Sequence, residues 1–137
     1  MFDSSAIFKR YTQEAGREQV LGVFERADRI CVAPHLRLEV MTSANRLMRD
    51  RLIDAQGYAW LRQQLSDDVA QWEVMPLSTE VEQASMAALE LVHVRAMDAL
   101  HVGAAKVAQA DLFVTADKRQ AAAAMAMGLN TELVTVN

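Results

Sequence analysis

Short apolar runs containing β-branched residues alternate with longer stretches of helical spacing along this chain. That alternation constrains the fold more than any other feature. Residues 29–33, 72–75, 112–115 and 131–136 read as strands. Helices are expected at 4–12 and 13–27, before the first of these runs. Further helices follow: 34–51 opened by Pro34, 54–66 capped by Asp54, 79–91 with Thr79 and Glu82 as a capping box, and 95–109. Leu36, Val40, Ala44, Leu47 and Met48 recur at helical spacing within the third helix. A last helix, 117–127, is closed by Gly128. Strands separated by helices call for a parallel sheet with right-handed crossovers and helices on both faces, a three-layer α/β/α fold. Met1-Phe2 supplies only the stub of a first strand, which brings the sheet to about five strands. A central strand needs about 4–6 residues, so the natural chain is expected to begin a few apolar residues upstream.

The 137 residues make one domain, 1–137, long enough to bury a core. No run of about 18 apolar residues exists to span a membrane, and no basic-then-apolar leader opens the chain. The single cysteine, Cys31, lies in an apolar run and reads as a buried, unreactive thiol, which suits a reducing cytoplasm. A net charge of −4, from 18 acidic and 14 basic residues, argues against binding long duplexes by charge alone.

Four acids stand at strand ends or early in helices: Asp3, Glu39, Asp98 and Asp117. In an α/β chain such positions converge at one end of a parallel sheet. Carboxylates gathered without bases repel one another unless cations join them. Their hard oxygens suit Mg²⁺ or Mn²⁺. Without these four, 14 acids face 14 bases, a neutral scaffold that can accept a phosphate backbone locally. The bland alternatives are that Asp3 and Asp117 cap helices, that Asp98 complements a helix dipole, and that Glu39 is a solvated carboxylate paired with Arg37 or Arg46. Ser5 and Thr115 read as hydroxyls that bond the carboxylates rather than touch a metal. His101, three residues after Asp98, reads as packing rather than a catalytic base, with still less to say for His35 and His93. No Cys-x-x-Cys or His-Glu-x-x-His spacing argues for zinc. Lys9, Arg10, Lys118 and Arg119 are potential phosphate contacts. Trp60 and Trp72 suit core or interface, as do Met41, Met48, Met86, Met97, Met125 and Met127.

Four segments taken together resemble PIN-domain ribonucleases, and among them the VapC-type toxins of bacterial toxin–antitoxin pairs. They are Asp3-Ser4-Ser5-Ala6-Ile7-Phe8-Lys9-Arg10-Tyr11, Leu38-Glu39-Val40, Asp98-Ala99-Leu100-His101-Val102-Gly103-Ala104-Ala105 and Val114-Thr115-Ala116-Asp117-Lys118-Arg119. The resemblance implies a PIN fold, Mg²⁺- or Mn²⁺-dependent endoribonuclease activity, homodimers and a small antitoxin protein docked across the groove. By motif match it implies Asp3, Glu39, Asp98 and Asp117 as the catalytic acids. Asp3, Asp98 and Asp117 would be the metal binders, with Ser5 and Thr115 in support. The short first strand departs from the family and bears on how Asp3 is positioned. A haloacid-dehalogenase-like phosphatase would need a second acid where Ser5 stands. A phosphate receiver would need an acidic pair and a late lysine that the chain lacks. The remaining alternative is a catalytically weak PIN scaffold that binds RNA or protein without cutting.

Overall fold

A computed structural model describes residues 1–135. The elements follow in order: α1 (Ser4–Tyr11), α2 (Arg17–Arg26), β1 (Cys31–Val32), α3 (Leu36–Arg49), α4 (Ala55–Val69), β2 (Glu73–Val74), α5 (Thr79–Leu91), α6 (Ala96–Val107), β3 (Phe113–Thr115), α7 (Lys118–Ala126) and β4 (Thr131–Leu133). The expected alternation is therefore present. Strand β4 is shorter than the run 131–136, and Val136 lies outside the described residues.

Pairing is parallel throughout, β1 with β2 and β3 with β4. Phe2 adds a parallel bridge to Val114. The expected single ladder is thus divided in two among the described residues. Between the halves lies a cavity of about 510 Å³, lined in part by Met1, Phe2, Ile30, Cys31 and Leu112. The short first strand nevertheless holds Asp3 in place. The Met1 amino group donates to the Leu112 carbonyl at 2.9 Å, Val114 N–H to the Met1 carbonyl at 2.9 Å, and Asp3 N–H to the Val114 carbonyl at 3.1 Å.

Alternation along the strands sends neighbouring side chains to opposite faces. Phe2, Val32 and Val114 enter one core with α1, α2, α3 and α4. Met1, Ala33 and Phe113 enter a second core with α5, α6 and α7. Both faces of β3 and of the Phe2 bridge are covered, as their apolar sequences demand, whereas β2 is exposed and β4 only half-buried. The second core is built of small residues, Ala99, Ala104, Ala105, Ala123 and Ala124, which let helices approach closely. At Gly103 a Cβ would stand 2.6 Å from the Ser85 backbone nitrogen, so α5 and α6 touch backbone to backbone.

Helix starts follow side-chain chemistry. Asp3, Asp54, Ser78 and Asp117 each accept a backbone N–H of the first turn. Ser78, not Thr79, caps α5, so the capping box expected from Thr79 and Glu82 does not form; Ser78 Oγ reaches Val81 N–H at 3.2 Å. Gly128 adopts φ +82° and closes α7, a conformation that favours glycine. Met86, Met97 and Met125 are exposed rather than in the core. Cys31 is free, half-buried and packed on the second core.

Candidate active site

Three of the four acids are tied together by side-chain hydrogen bonds at the ends of the Phe2 bridge and β3. Asp3 is fully buried. Its Oδ1 accepts Ala6 N–H at 2.9 Å and Ser5 Oγ at 2.7 Å, and its Oδ2 accepts the Thr115 hydroxyl. Thr115 Oγ1 in turn accepts Asp117 N–H at 3.0 Å. Asp117 Oδ1 accepts the N–H groups of Arg119 at 2.8 Å and Gln120 at 3.2 Å, which caps α7. The Gln120 side chain donates to Asp98 Oδ1 at 3.3 Å. Capping and site geometry coincide, because a carboxylate oxygen has two lone pairs and a cap uses only part of its capacity.

Glu39 approaches from the first turn of α3. Its Oε1 accepts Ser4 Oγ at 3.0 Å, lies 3.3 Å from His35 Nε2 and contacts His101 Nε2. The neighbours expected from sequence, Arg37 and Arg46, do not pair with it; the two histidines and Ser4 take their place. His101 is fully buried, and its ring lies 4.2 Å from that of His35.

The electrostatics divide these carboxyls. Burial pushes Asp3 above the usual carboxylate range, against its hydrogen bonds. Burial also raises Asp98, and repulsion from Asp117 and Glu39 raises it further. Burial would raise Glu39 as well, but hydrogen bonds to His101 and His35 outweigh it and hold Glu39 well below its ordinary value. Among the described residues, no lysine or arginine comes within ion-pair distance of Asp3, Glu39, Asp98 or Asp117. Carboxylate oxygens of Asp3, Asp98 and Asp117, without a lysine or arginine ion pair among the described residues, make a donor set that a hard divalent cation fits.

The basic residues are redistributed relative to expectation. Lys9 is buried and spent on Glu14 at 3.3 Å and the Ala15 carbonyl at 2.8 Å. Arg10 pairs with Asp68 at 2.9 Å and lies over the Phe24 ring. Neither is free for phosphate. Lys118 and Arg119 are exposed beside Asp117. Arg46 lines a groove of about 360 Å³ with Ser4, Ser5 and Ser43, a placement that sequence reasoning missed. Trp72 packs on Phe24, whereas Trp60 is 54% exposed.

The family model of the PIN domain matches residues 1–126. The chain belongs to the PIN-domain family. A chain from the crystal structure of FitAcB from Neisseria gonorrhoeae is similar in fold, with a TM-score of 0.70 at 11% identity, over 95% of this chain and 94% of that one. No curated protein matches the sequence. PIN domains are generally nucleases, so membership supports a hydrolase acting on nucleic acid. Ser4 and Gln120 are site neighbours to which sequence reasoning assigned no role, and His101 and His35, read from sequence as packing, contact Glu39. The spacing of four between His35 and Glu39 was an available signal, since it sets the two one helical turn apart.

Proposed function

We propose that this PIN domain is a Mg²⁺- or Mn²⁺-dependent endoribonuclease, the VapC-type toxin of a toxin–antitoxin pair, acting in the cytoplasm as a homodimer restrained by an antitoxin protein. The observation that carries the reading is the run Asp3–Thr115–Asp117–Gln120–Asp98, connected by hydrogen bonds and without a cationic side chain among the described residues. In this reading Asp3, Asp98 and Asp117 hold the cation. A bound Mg²⁺ supplies a water of lowered pKa and neutralises charge developing on the scissile phosphate. Thr115 and Ser5 fix the Asp3 carboxylate, and Gln120 orients Asp98. Glu39, kept ionised beside His101, faces the pocket as an acceptor for the attacking water. Arg46, Lys118 and Arg119 offer charge to the RNA backbone flanking the cut.

The homodimer and the antitoxin rest on the VapC-type resemblance. A second reading, a scaffold that binds without cutting, draws support from Asp3, which is fully buried with both oxygens engaged and so already serves the fold. Sequencing RNA 5′ ends after induced expression separates the two. The nuclease reading expects new ends with wild type and none above background with Asp3→Ala or Asp117→Asn. Equal cleavage by wild type and both variants would exclude the site.

A further inference from the structure

We propose that His35, Glu39 and His101 form a second cation site beside the carboxylate pocket, selective for a borderline-soft divalent ion such as Zn²⁺ over Mg²⁺. One ligand atom from each residue lies within 4.8 Å of the other two. The His35 Nε2 to Glu39 Oε1 distance is 3.3 Å. Zinc bonds of about 2.0–2.2 Å to nitrogen and oxygen, arranged tetrahedrally, put neighbouring ligand atoms roughly 3.3–3.5 Å apart. That edge already has the required length, and the closer His101–Glu39 contact must open to admit an ion.

The chemistry of the cluster points the same way. His35 Nε2 also faces the Met97 carbonyl at 2.9 Å. Four groups with lone pairs therefore converge: two imidazoles, a carboxylate and a carbonyl. Without a metal, protons on Nε2 must fill the space between them. The Nδ1 atoms of both rings are buried and have no hydrogen-bond partner. A cation bound through Nε2 places each ring's proton on Nδ1, so the coordinate bonds must offset two buried N–H groups without acceptors. Two imidazole nitrogens with one carboxylate suit Zn²⁺, Co²⁺ or Cu²⁺, whereas Mg²⁺ prefers oxygen alone. His35 stands at the N-cap of α3 with Glu39 one turn on, and α6 supplies His101.

The site does not depend on the nuclease reading, although Glu39 touches both. The test uses Cu²⁺ at one equivalent, in saturating Mg²⁺, read by the nitrogen splitting in its electron paramagnetic resonance spectrum. Wild type and Asp98→Asn are expected to give the same two-imidazole signature. His35→Ala and His35→Gln are expected to lose one nitrogen and to bind on the order of 100-fold more weakly. The glutamine variant keeps an amide that can bond the Met97 carbonyl, which guards the fold, and circular dichroism checks it. His93→Ala, whose side chain is exposed elsewhere, leaves the signal unchanged. An oxygen-only spectrum in wild type, or an unaltered two-nitrogen spectrum in folded His35→Gln, overturns the site.

Discussion

Asp98→Asn separates the electrostatic cost of the carboxylate pocket from its use. In the metal-free protein Asp98 is raised by burial and by repulsion from Asp117 and Glu39, so its charge opposes folding at neutral pH. Asparagine keeps the shape and an oxygen facing the Gln120 amide. Asp98 is partly exposed, and solvent screening limits the relief to roughly 0.5–1 kcal/mol. For a chain of this size 1 kcal/mol moves the melting temperature by roughly 3–4 °C, so the variant should melt about 2–4 °C higher in EDTA. Mn²⁺ reverses the order. At a hundredfold excess over its dissociation constant a ligand of the folded state adds about 2.7 kcal/mol, or roughly 8–11 °C. Losing one of three carboxylates should cut that gain to less than a third. Thermal melts of both proteins in EDTA and in Mn²⁺ give all four values. An Asn variant that melts lower in EDTA, or that gains as much from Mn²⁺ as wild type, refutes the reasoning. An unmoved wild type removes the metal pocket itself.

Gly103→Ala should lose about 1–3 kcal/mol or more, because the new Cβ meets the Ser85 backbone, which cannot move aside as a side-chain end can; a urea midpoint equal to wild type would show that α5 and α6 are farther apart. Thr115→Val keeps the shape but deprives Asp3 Oδ2 of its donor and Asp117 N–H of its acceptor. A loss of about 1–3 kcal/mol in chemical denaturation is expected, together with a weakened Mn²⁺ response, and a neutral effect on both would dissolve the link between these acids. Stability against pH in EDTA has a defined sign. Asp3 and Asp98 have raised folded values, so they cost stability as pH climbs through those values, whereas Glu39 is lowered and its contribution disappears as pH falls below its unfolded value of 4.5. The optimum should therefore be mildly acidic in EDTA and move toward neutrality in Mn²⁺; stability rising steadily from mildly acidic to basic pH without metal would contradict it.

The alternation of apolar runs with helical spacing was sufficient to foresee parallel strands with helices on both faces, because a strand buried on two sides must be apolar throughout and its crossover needs a helix. Asp3 and Asp117 were legible for a related local reason: an acid between a strand and a helix caps that helix and stands at the sheet's carboxyl end. Tertiary structure decided the remainder, since it depends on how the chain turns and on residues mostly far apart in sequence. Only packing could show that Lys9 and Arg10 are consumed by Glu14 and Asp68, that Thr115 reaches across 112 residues to Asp3, and that Arg46 lines the groove. The neighbours of Glu39 were the largest surprise. Side chains on α3 and α6 meet at Glu39 although the two helices belong to different cores, and sequence spacing encodes the direction of a side chain along its own helix but not the identity of what another helix brings against it.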